Sequence, residues 1–230
     1  MGAGRPLAHP MSSSRRRCEN WLHASVLRMA DDRWWKDLDA VVAAMLAGGS
    51  RILDLGCGDG GLVDRLTELG FDPIGVDPHA PAHPRLVQAR VEHATGLGEF
   101  DAITATMALH HAELPTVLQS IYGHLRPEGQ LFVSEFAWDA YDERAAAWLA
   151  SHDPSDGDNS ITGWQREHCD LHTWATVREA LSNCFTPTLE VGRPYLARML
   201  RRCDLEADEH ALIDAQLLPA LGIWYVAKRD

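Results

Sequence analysis

The sequence predicts an α/β fold in which a doubly wound, mostly parallel sheet of seven strands carries helices on both faces. Short apolar runs alternate with helical segments, a pattern that produces right-handed βαβ units. A glycine-rich turn follows the first of these runs and leads into a helix. With 230 residues, of which 46% are hydrophobic, the chain can bury one sizeable core. We therefore expect a single domain with appendages.

The predicted elements alternate along most of the chain. Two helices are expected within 21–46, where apolar residues recur at helical spacing up to Gly48-Gly49. Strands are expected at 51–56, 73–77, 85–89, 100–106, 130–135, 188–191 and 222–228, and further helices at 61–69, 114–125, 142–150, 173–182 and 206–218.

Three segments define the predicted domain organisation. Residues 1–20 contain Gly, Pro, Ser and an arginine run without the apolar core of a signal peptide, so a flexible, cytoplasmic N-terminal tail is expected. Residues 21–230 are expected to form the folded domain. Within it, 137–184 is expected to form a helical cap over a substrate site. No apolar stretch approaches the roughly 20 residues that span a bilayer, so no integral membrane protein is expected.

Charge and cysteine content exclude several classes of partner. The net charge of -12 disfavours phosphate polymers and anionic membrane surfaces, because both attract clustered Lys and Arg. The five cysteines include no CxxC pair, and the spacing within 168–172 fits no tetrahedral metal site. We expect a small-molecule partner, no nucleic acid, no membrane, no metal, and a monomer or homodimer.

The turn after the first strand, Gly56-Cys-Gly-Asp-Gly-Gly61, satisfies GxGxxG, whose glycines let the backbone approach a ligand at a helix N-terminus. Alone, this motif does not separate NAD from S-adenosylmethionine. Asp54 argues for the latter, because S-adenosylmethionine carries an ammonium and a sulfonium whereas a carboxylate repels a pyrophosphate. Asp77, 21 residues after Gly56, has the spacing of an acid that accepts hydrogen bonds from ribose hydroxyls.

The segment Leu53-Asp-Leu-Gly-Cys-Gly-Asp-Gly60 resembles the first motif of class I S-adenosylmethionine-dependent methyltransferases, which have a Rossmann-like fold. The likeness continues through 100–111 and 125–129 and covers roughly 35–135. It implies S-adenosyl-L-methionine as cofactor, S-adenosyl-L-homocysteine as product, and a methyltransferase that acts on the O or N of a small metabolite. The tryptophans of the expected cap suit a flat or aromatic acceptor. The implied cofactor-binding residues are Asp54, Gly56, Cys57, Gly58, Asp77, Pro78, Val91, Glu92, Thr106 and Met107.

Methyl transfer by direct displacement needs alignment of the reactants and a base where the acceptor bears a proton. His110 and His111 follow the fourth strand, and His111 is the first choice as base. Alternatively, these rings fix the loop by hydrogen bonding. Glu135 ends the fifth strand and is expected to face the acceptor pocket, its alternative being a helix-cap or surface carboxylate. Arg198, shortly after the sixth strand, is either an anchor for a substrate carboxylate or a surface residue.

Three other functions fit the same motif. An enzyme of this fold can use S-adenosylmethionine for cyclisation or aminocarboxypropyl transfer. A non-catalytic module can bind it for sensing or assembly. An NAD-dependent dehydrogenase is also compatible with GxGxxG, although Asp54 argues against it.

Overall fold

The computed structural model describes residues 32–153 and 158–230. The strands are β1 (Arg51–Leu55), β2 (Asp72–Asp77), β3 (Leu86–Gln88), β4 (Phe100–Thr106), β5 (Leu125–Phe136), β6 (Thr186–Arg193) and β7 (Gly222–Lys228). The α-helices are α1 (Asp32–Met45), α2 (Gly61–Glu68), α3 (Leu114–His124), α4 (Glu143–His152), α5 (Ile161–His168), α6 (Trp174–Ser182), α7 (Leu196–Met199) and α8 (Glu206–Asp214).

The strands form one seven-stranded sheet in the order β3-β2-β1-β4-β5-β7-β6. Neighbouring strands are parallel in the part of the sheet that runs β3-β2-β1-β4-β5. Strand β7 pairs antiparallel with both β5 and β6. This confirms the predicted fold class. β5 begins at Leu125 rather than at the predicted Gln130, and its pairing with β4 shifts register between Phe100 and Ala102.

Helices cover both faces of the sheet, as predicted for a doubly wound fold. On one face, Leu38 of α1 and Leu66 of α2 are buried against Phe132 of β5. On the other face, Ile121 of α3 and Leu181 of α6 are buried in a second cluster. The central strands are therefore buried on both sides, which explains why apolar residues of β1 and β4 point to both faces of the sheet.

The helices of the predicted cap, 137–184, pack into two different apolar clusters. Helices α4 and α5 share an apolar cluster with residues from 195–221, and this cluster reaches Met107 and Phe136 at the end of the sheet. In contrast, α6 contributes Val177 and Leu181 to the core on the sheet face. The structure also contains α5, which the sequence patterns did not predict. The segment that follows β6 therefore packs with α4 and α5, whereas α6 packs on a face of the sheet.

The predicted tail 1–20, the first of the two helices predicted within 21–46, and residues 154–157 of the predicted cap lie outside the described residues. The second predicted helix corresponds to α1. Within 32–153 and 158–230, no helix is long and apolar enough to cross a membrane.

Candidate functional site

The turn between β1 and α2 has a backbone that only glycine accommodates easily. Gly56, Gly58 and Gly60 have φ angles of 73°, 55° and 94°, a region that L side chains rarely adopt. A Cβ on Gly56 would lie 2.8 Å from the Cβ of Ala108. The turn after β1 and the loop after β4 are therefore in direct contact at the carboxyl edge of the sheet, where open α/β sheets bind ligands.

Asp54 is buried on β1 beside this turn. Its Oδ1 accepts a hydrogen bond from the Thr104 hydroxyl at 2.7 Å. Its Oδ2 is buried and has no hydrogen-bond partner among the described residues. Burial raises the pKa of Asp54 to about 7, and the charge of Asp77 adds to this effect. The site thus holds a carboxylate oxygen that a neighbouring cation would stabilise.

Asp77 ends β2 and connects two turns. Its Oδ2 accepts a hydrogen bond from the backbone N–H of Gly58 at 3.2 Å, and its Oδ1 accepts one from His79 at 2.6 Å. Pro78, which lies between Asp77 and His79, is exposed. Cys57 is buried, and burial raises the pKa of its thiol. The predicted residues of the first two strands therefore meet at one edge.

Four other predicted cofactor residues lie after β3 and β4. Val91 is buried at the start of a short 3-10 turn, whereas Glu92 is partly exposed and lies 3.7 Å from the Arg90 guanidinium. Thr106 ends β4, and its buried hydroxyl has no hydrogen-bond partner in the described part of the chain. Met107 has a φ of 54° and is held by a backbone hydrogen bond from its N–H to Ser134 O at 2.7 Å.

Glu135 holds the loop that follows β4. Its Oε1 accepts hydrogen bonds from the backbone N–H groups of Ala108 at 3.0 Å and Leu109 at 2.6 Å, with a longer contact from His110. Its Oε2 accepts from Phe136 N at 3.0 Å and from His110 Nδ1 at 2.6 Å. Glu135 is therefore not a surface carboxylate: it caps the start of the short 3-10 helix Leu109–His111, and its interactions favour the alternative in which His110 fixes the loop.

The two histidines of this loop differ in environment. His110 is buried, and its Nε2 has no hydrogen-bond partner within the described ranges. His111 is exposed, with its ring centroid 4.2 Å from that of His110. Of the two imidazoles, that of His111 is therefore the more accessible.

Glu135→Gln is expected to lower the free energy of unfolding by about 3 kcal/mol at pH 7, because whichever way the amide turns, its NH2 faces backbone donors. Burial alone would raise the pKa of Glu135, but the His110 imidazole and the backbone N–H groups outweigh it and lower that pKa. The carboxylate therefore stabilises the fold above the ordinary glutamate pKa, and this contribution is lost as the pH falls through the lowered value.

Urea unfolding at pH 7 and near pH 3 measures this difference. Glu113→Gln is the matched control, because the exposed Glu113 accepts only one backbone hydrogen bond, from Thr116 N at 3.0 Å. A loss for Glu135→Gln that is no larger than the loss for Glu113→Gln would contradict the anchoring role.

An aromatic cluster lies next to this loop and was not predicted as a unit. Phe136 stacks on Tyr195 with centroids 4.2 Å apart, and Tyr141 stacks on Trp164 at 4.1 Å. His168 lies 5.2 Å from Phe136, and its Nδ1 donates to Trp164 O at 2.8 Å. Burial lowers the pKa of His168, which favours the neutral imidazole. The aromatic content of 137–184 was a sequence signal for Tyr141 and Trp164, but it does not specify these pairs and does not include Phe136 or Tyr195.

Arg198 is buried rather than exposed, so the surface alternative considered for it is wrong. His168 and His172, considered above for a metal site, make separate hydrogen bonds, since His172 Nε2 donates to Ala112 O at 3.0 Å. Among the residues that the structure describes, no group of three or more His, Cys, Asp or Glu side chains could hold a metal ion.

Comparisons with known proteins identify related sequences. Residues 28–184 match a family model described as a methyltransferase domain. A ubiquinone biosynthesis O-methyltransferase of Xanthomonas oryzae pv. oryzae is 34% identical over 113 residues, which are 42% of this chain and 47% of that protein. The mitochondrial protein of the same name from Bos taurus is 33% identical over 105 residues, covering 37% of this chain and 28% of that protein. The match thus spans less than half of either curated relative.

Solved structures share the fold. The 1,6-didemethyltoxoflavin-N1-methyltransferase of Burkholderia thailandensis, crystallised with 1,6-didemethyltoxoflavin and S-adenosylhomocysteine, is 20% identical, has a TM-score of 0.55, and aligns over 99% of this chain and 93% of its own. The plantazolicin methyltransferase BpumL, in complex with SAH, is 10% identical with a TM-score of 0.56, over 94% and 89% of the two chains.

The family match extends over most of the chain and includes the acidic, glycine-rich turn at the carboxyl edge of the sheet. The chain therefore belongs to the methyltransferase domain family, and it shares its fold with solved methyltransferases.

Proposed function

We propose that this protein transfers the methyl group of S-adenosylmethionine by direct displacement to the O or N of a small, flat or aromatic acceptor. The observation that carries the proposal is the position of the buried Asp54 and Asp77 at the sheet edge that also bears the cluster around Phe136. The names of the relatives support both acceptor atoms, because one is an O-methyltransferase and another an N-methyltransferase. The net charge of -12 supports a small molecule rather than nucleic acid.

The residues at the edge fit the cofactor. The Oδ2 of Asp54, which has no hydrogen-bond partner in the described part of the chain, suits the ammonium of the methionine end, since a buried carboxylate gains most from a nearby cation. Asp77, at the end of β2, suits the ribose hydroxyls. Gly56, Cys57 and Gly58 bring the backbone close to the ligand.

The remaining contacts would complete the cofactor site. Pro78 lies beside the ribose in this proposal, Val91 and Glu92 lie by the adenine, and Thr106 and Met107 lie beneath the cofactor. Once bound, S-adenosylmethionine supplies a methyl carbon that its sulfonium already activates. The protein then needs only to align the acceptor, exclude water and accept a proton.

We assign the proton acceptor to His111, because its imidazole is exposed on the loop after β4. Glu135 and His110 act as positioning residues, since their buried hydrogen bonds hold that loop against the end of β5. The bond that breaks joins the methyl carbon to sulfur, and the bond that forms joins it to the acceptor O or N. The acceptor's proton passes to the His111 imidazole.

Asp54→Asn is expected to change stability and affinity in opposite directions. Because the pKa of Asp54 is raised to about 7, the neutral carboxyl of Asp54 contributes to the free energy of unfolding of the ligand-free protein. This contribution is fully present below the ordinary aspartate pKa and is lost as the pH rises towards 7. The asparagine variant avoids this loss, which amounts to up to about 4 kcal/mol. It should therefore resist urea better than the wild type at pH 8.

The same variant should bind S-adenosylhomocysteine about tenfold or more weakly at pH 8, because it lacks the charge opposite the ammonium. Wild-type affinity should fall as the pH drops from 8 to 5.5, since Asp54 must then release a proton on binding, whereas the affinity of Asp54→Asn should stay flat. Calorimetric titration at both pH values measures this. A wild-type affinity that does not change with pH would exclude a direct role for Asp54.

Incubation of the protein with S-adenosylmethionine and a panel of phenols and aromatic amines tests the proposed function. Mass spectrometry should detect S-adenosylhomocysteine and a product heavier by one methylene in equal amounts. Methylthioadenosine in place of S-adenosylhomocysteine would indicate aminocarboxypropyl transfer instead. Saturable binding without turnover over the whole panel would favour a binding module, and binding of NAD alone would overturn the assignment.

A further inference from the structure

Arg198 is a buried cation whose hydrogen-bonding capacity is largely unused. It lies on α7, and 8% of its side chain is exposed. Its Nε and Nη2 have no hydrogen-bond partner among the described residues. The nearest carboxylate oxygen is Glu206 Oε1, 3.8 Å from Nη2, which is too long for a hydrogen bond. A guanidinium has five donors, so this burial leaves Arg198 underused.

The other charged groups around Arg198 are engaged elsewhere. Both oxygens of the buried Glu209 accept hydrogen bonds from backbone N–H groups within 195–197, at 2.8 to 2.9 Å. Arg193 donates to Asp37 and lies over the Trp224 ring, with its Cζ 4.2 Å from the centroid. The Cζ of Arg198 lies 5.3 Å from the centroid of the Trp34 ring, so this contact is with the face of the ring.

Burying a charge without a hydrogen-bonded partner costs several kcal/mol. Burial lowers the pKa of Arg198, and the charges of Glu206, Tyr195 and Glu209 offset this only in part. Such a cost is tolerated where the charge meets a ligand, because the ligand then supplies the missing acceptor.

The position of Arg198 places it beside the proposed acceptor site. Phe136 of β5 and Arg193 of β6 both pair with Gly222 of β7, so they are level at the end of the sheet. Tyr195, two residues beyond Arg193, stacks on Phe136. Arg198 follows Tyr195 by one helical turn. The guanidinium and the stacked rings therefore lie near one another beyond the end of β5, where 2% of Phe136 and 8% of Tyr195 are exposed.

We propose that Arg198 binds a carboxylate on the acceptor, whose ring packs beside the stacked rings of Phe136 and Tyr195. A planar guanidinium presents two parallel N–H donors that match the two oxygens of a carboxylate. If the acceptor carried a neutral carboxamide instead, its NH2 group would face one of these N–H donors. The inference rests on the proposed function and narrows its substrate class to aromatic acids that bear a hydroxyl or amino group.

The test compares hydroxybenzoates and aminobenzoates with the matching carboxamides as acceptors. The wild type should prefer the acid at least tenfold in kcat/KM. Arg198→Gln should lower the ratio of acid to amide by about 30-fold, because two charge-assisted hydrogen bonds are lost. Arg202→Gln is the matched control, since Arg202 is an exposed arginine of the same segment that pairs with Asp204, and it should leave the ratio as in the wild type.

Carboxylate binding in the presence of S-adenosylhomocysteine, measured by NMR titration, separates this inference from the proposed function. If carboxylates bind the wild type and not Arg198→Gln, the site stands even when no acceptor is methylated. If acceptors are methylated with the same acid-to-amide ratio in both proteins, the function stands and the carboxylate site is wrong. A melting temperature of Arg198→Gln well below that of the wild type, with S-adenosylhomocysteine affinity also lost, would assign Arg198 a structural role and overturn the proposal.

Discussion

Asp77→Ala is expected to weaken the binding of S-adenosylhomocysteine by about two to four orders of magnitude. A carboxylate that accepts two hydrogen bonds from ribose hydroxyls contributes about 1.5 to 3 kcal/mol for each of them. The substitution also removes the acceptor for Gly58 N and His79 N, which join the turn after β1 to the turn after β2. Both losses act on the same ligand surface, so isothermal titration calorimetry should show either very weak binding or none.

Asp72→Ala is the matched control for this measurement. Asp72 lies at the opposite end of the same strand, where it accepts a hydrogen bond from Arg85 Nη1 at 2.7 Å and is half exposed. We expect Asp72→Ala to retain wild-type affinity, because it is remote from the carboxyl edge. If Asp77→Ala bound S-adenosylhomocysteine within threefold of the wild type, Asp77 would not be the ribose ligand.

His111→Ala is expected to lower kcat by about two to four orders of magnitude while leaving the Kd of S-adenosylhomocysteine within twofold of the wild type. General-base catalysis by a positioned imidazole contributes an effect of this size. Cofactor affinity should be spared because Asp54 and Asp77, not His111, make the proposed cofactor contacts. Single-turnover methyl transfer with a responsive acceptor measures the chemical step separately from product release.

Added imidazole should partly restore the turnover of His111→Ala, an outcome that a purely structural role would not produce. His124→Ala is the control, since His124 is a partly exposed histidine at the end of α3, at the opposite edge of the sheet. Unchanged turnover in His111→Ala would remove this residue from the mechanism. The buried His110, whose Nδ1 is bonded to Glu135, would then be the remaining candidate of the pair.

Local sequence patterns were sufficient for the strand, turn and helix at the cofactor edge. The prediction of a strand at 51–56 and a helix at 61–69 agrees with β1 and α2 to within one residue at each end. Glycine at positive φ and an apolar run are properties of consecutive residues, so they can be read without knowledge of the fold. The same holds for Asp54 and Asp77, because parallel neighbouring strands bring their carboxyl ends to one edge.

Other features depended on contacts between residues far apart in the chain. Glu135 accepts hydrogen bonds from a loop 25 to 27 residues earlier, and no local pattern distinguishes it from a carboxylate that faces a pocket. The division of 137–184 between the sheet face and the cluster beyond the sheet edge likewise follows from packing. A short amphipathic helix can pack on the sheet face or on the cluster beyond the sheet edge, since both are apolar.

The sequence by itself determined the fold class, the order of most strands and helices, and the acidic, glycine-rich turn on which the proposed cofactor site is based. Only the tertiary structure decided which polar groups are buried and satisfied. In the tertiary structure both oxygens of Glu135 accept hydrogen bonds, whereas Asp54 Oδ2 and Arg198 Nε have no hydrogen-bond partner among the described residues. Burial and hydrogen bonding are properties of the whole fold, because each depends on side chains that distant elements bring together.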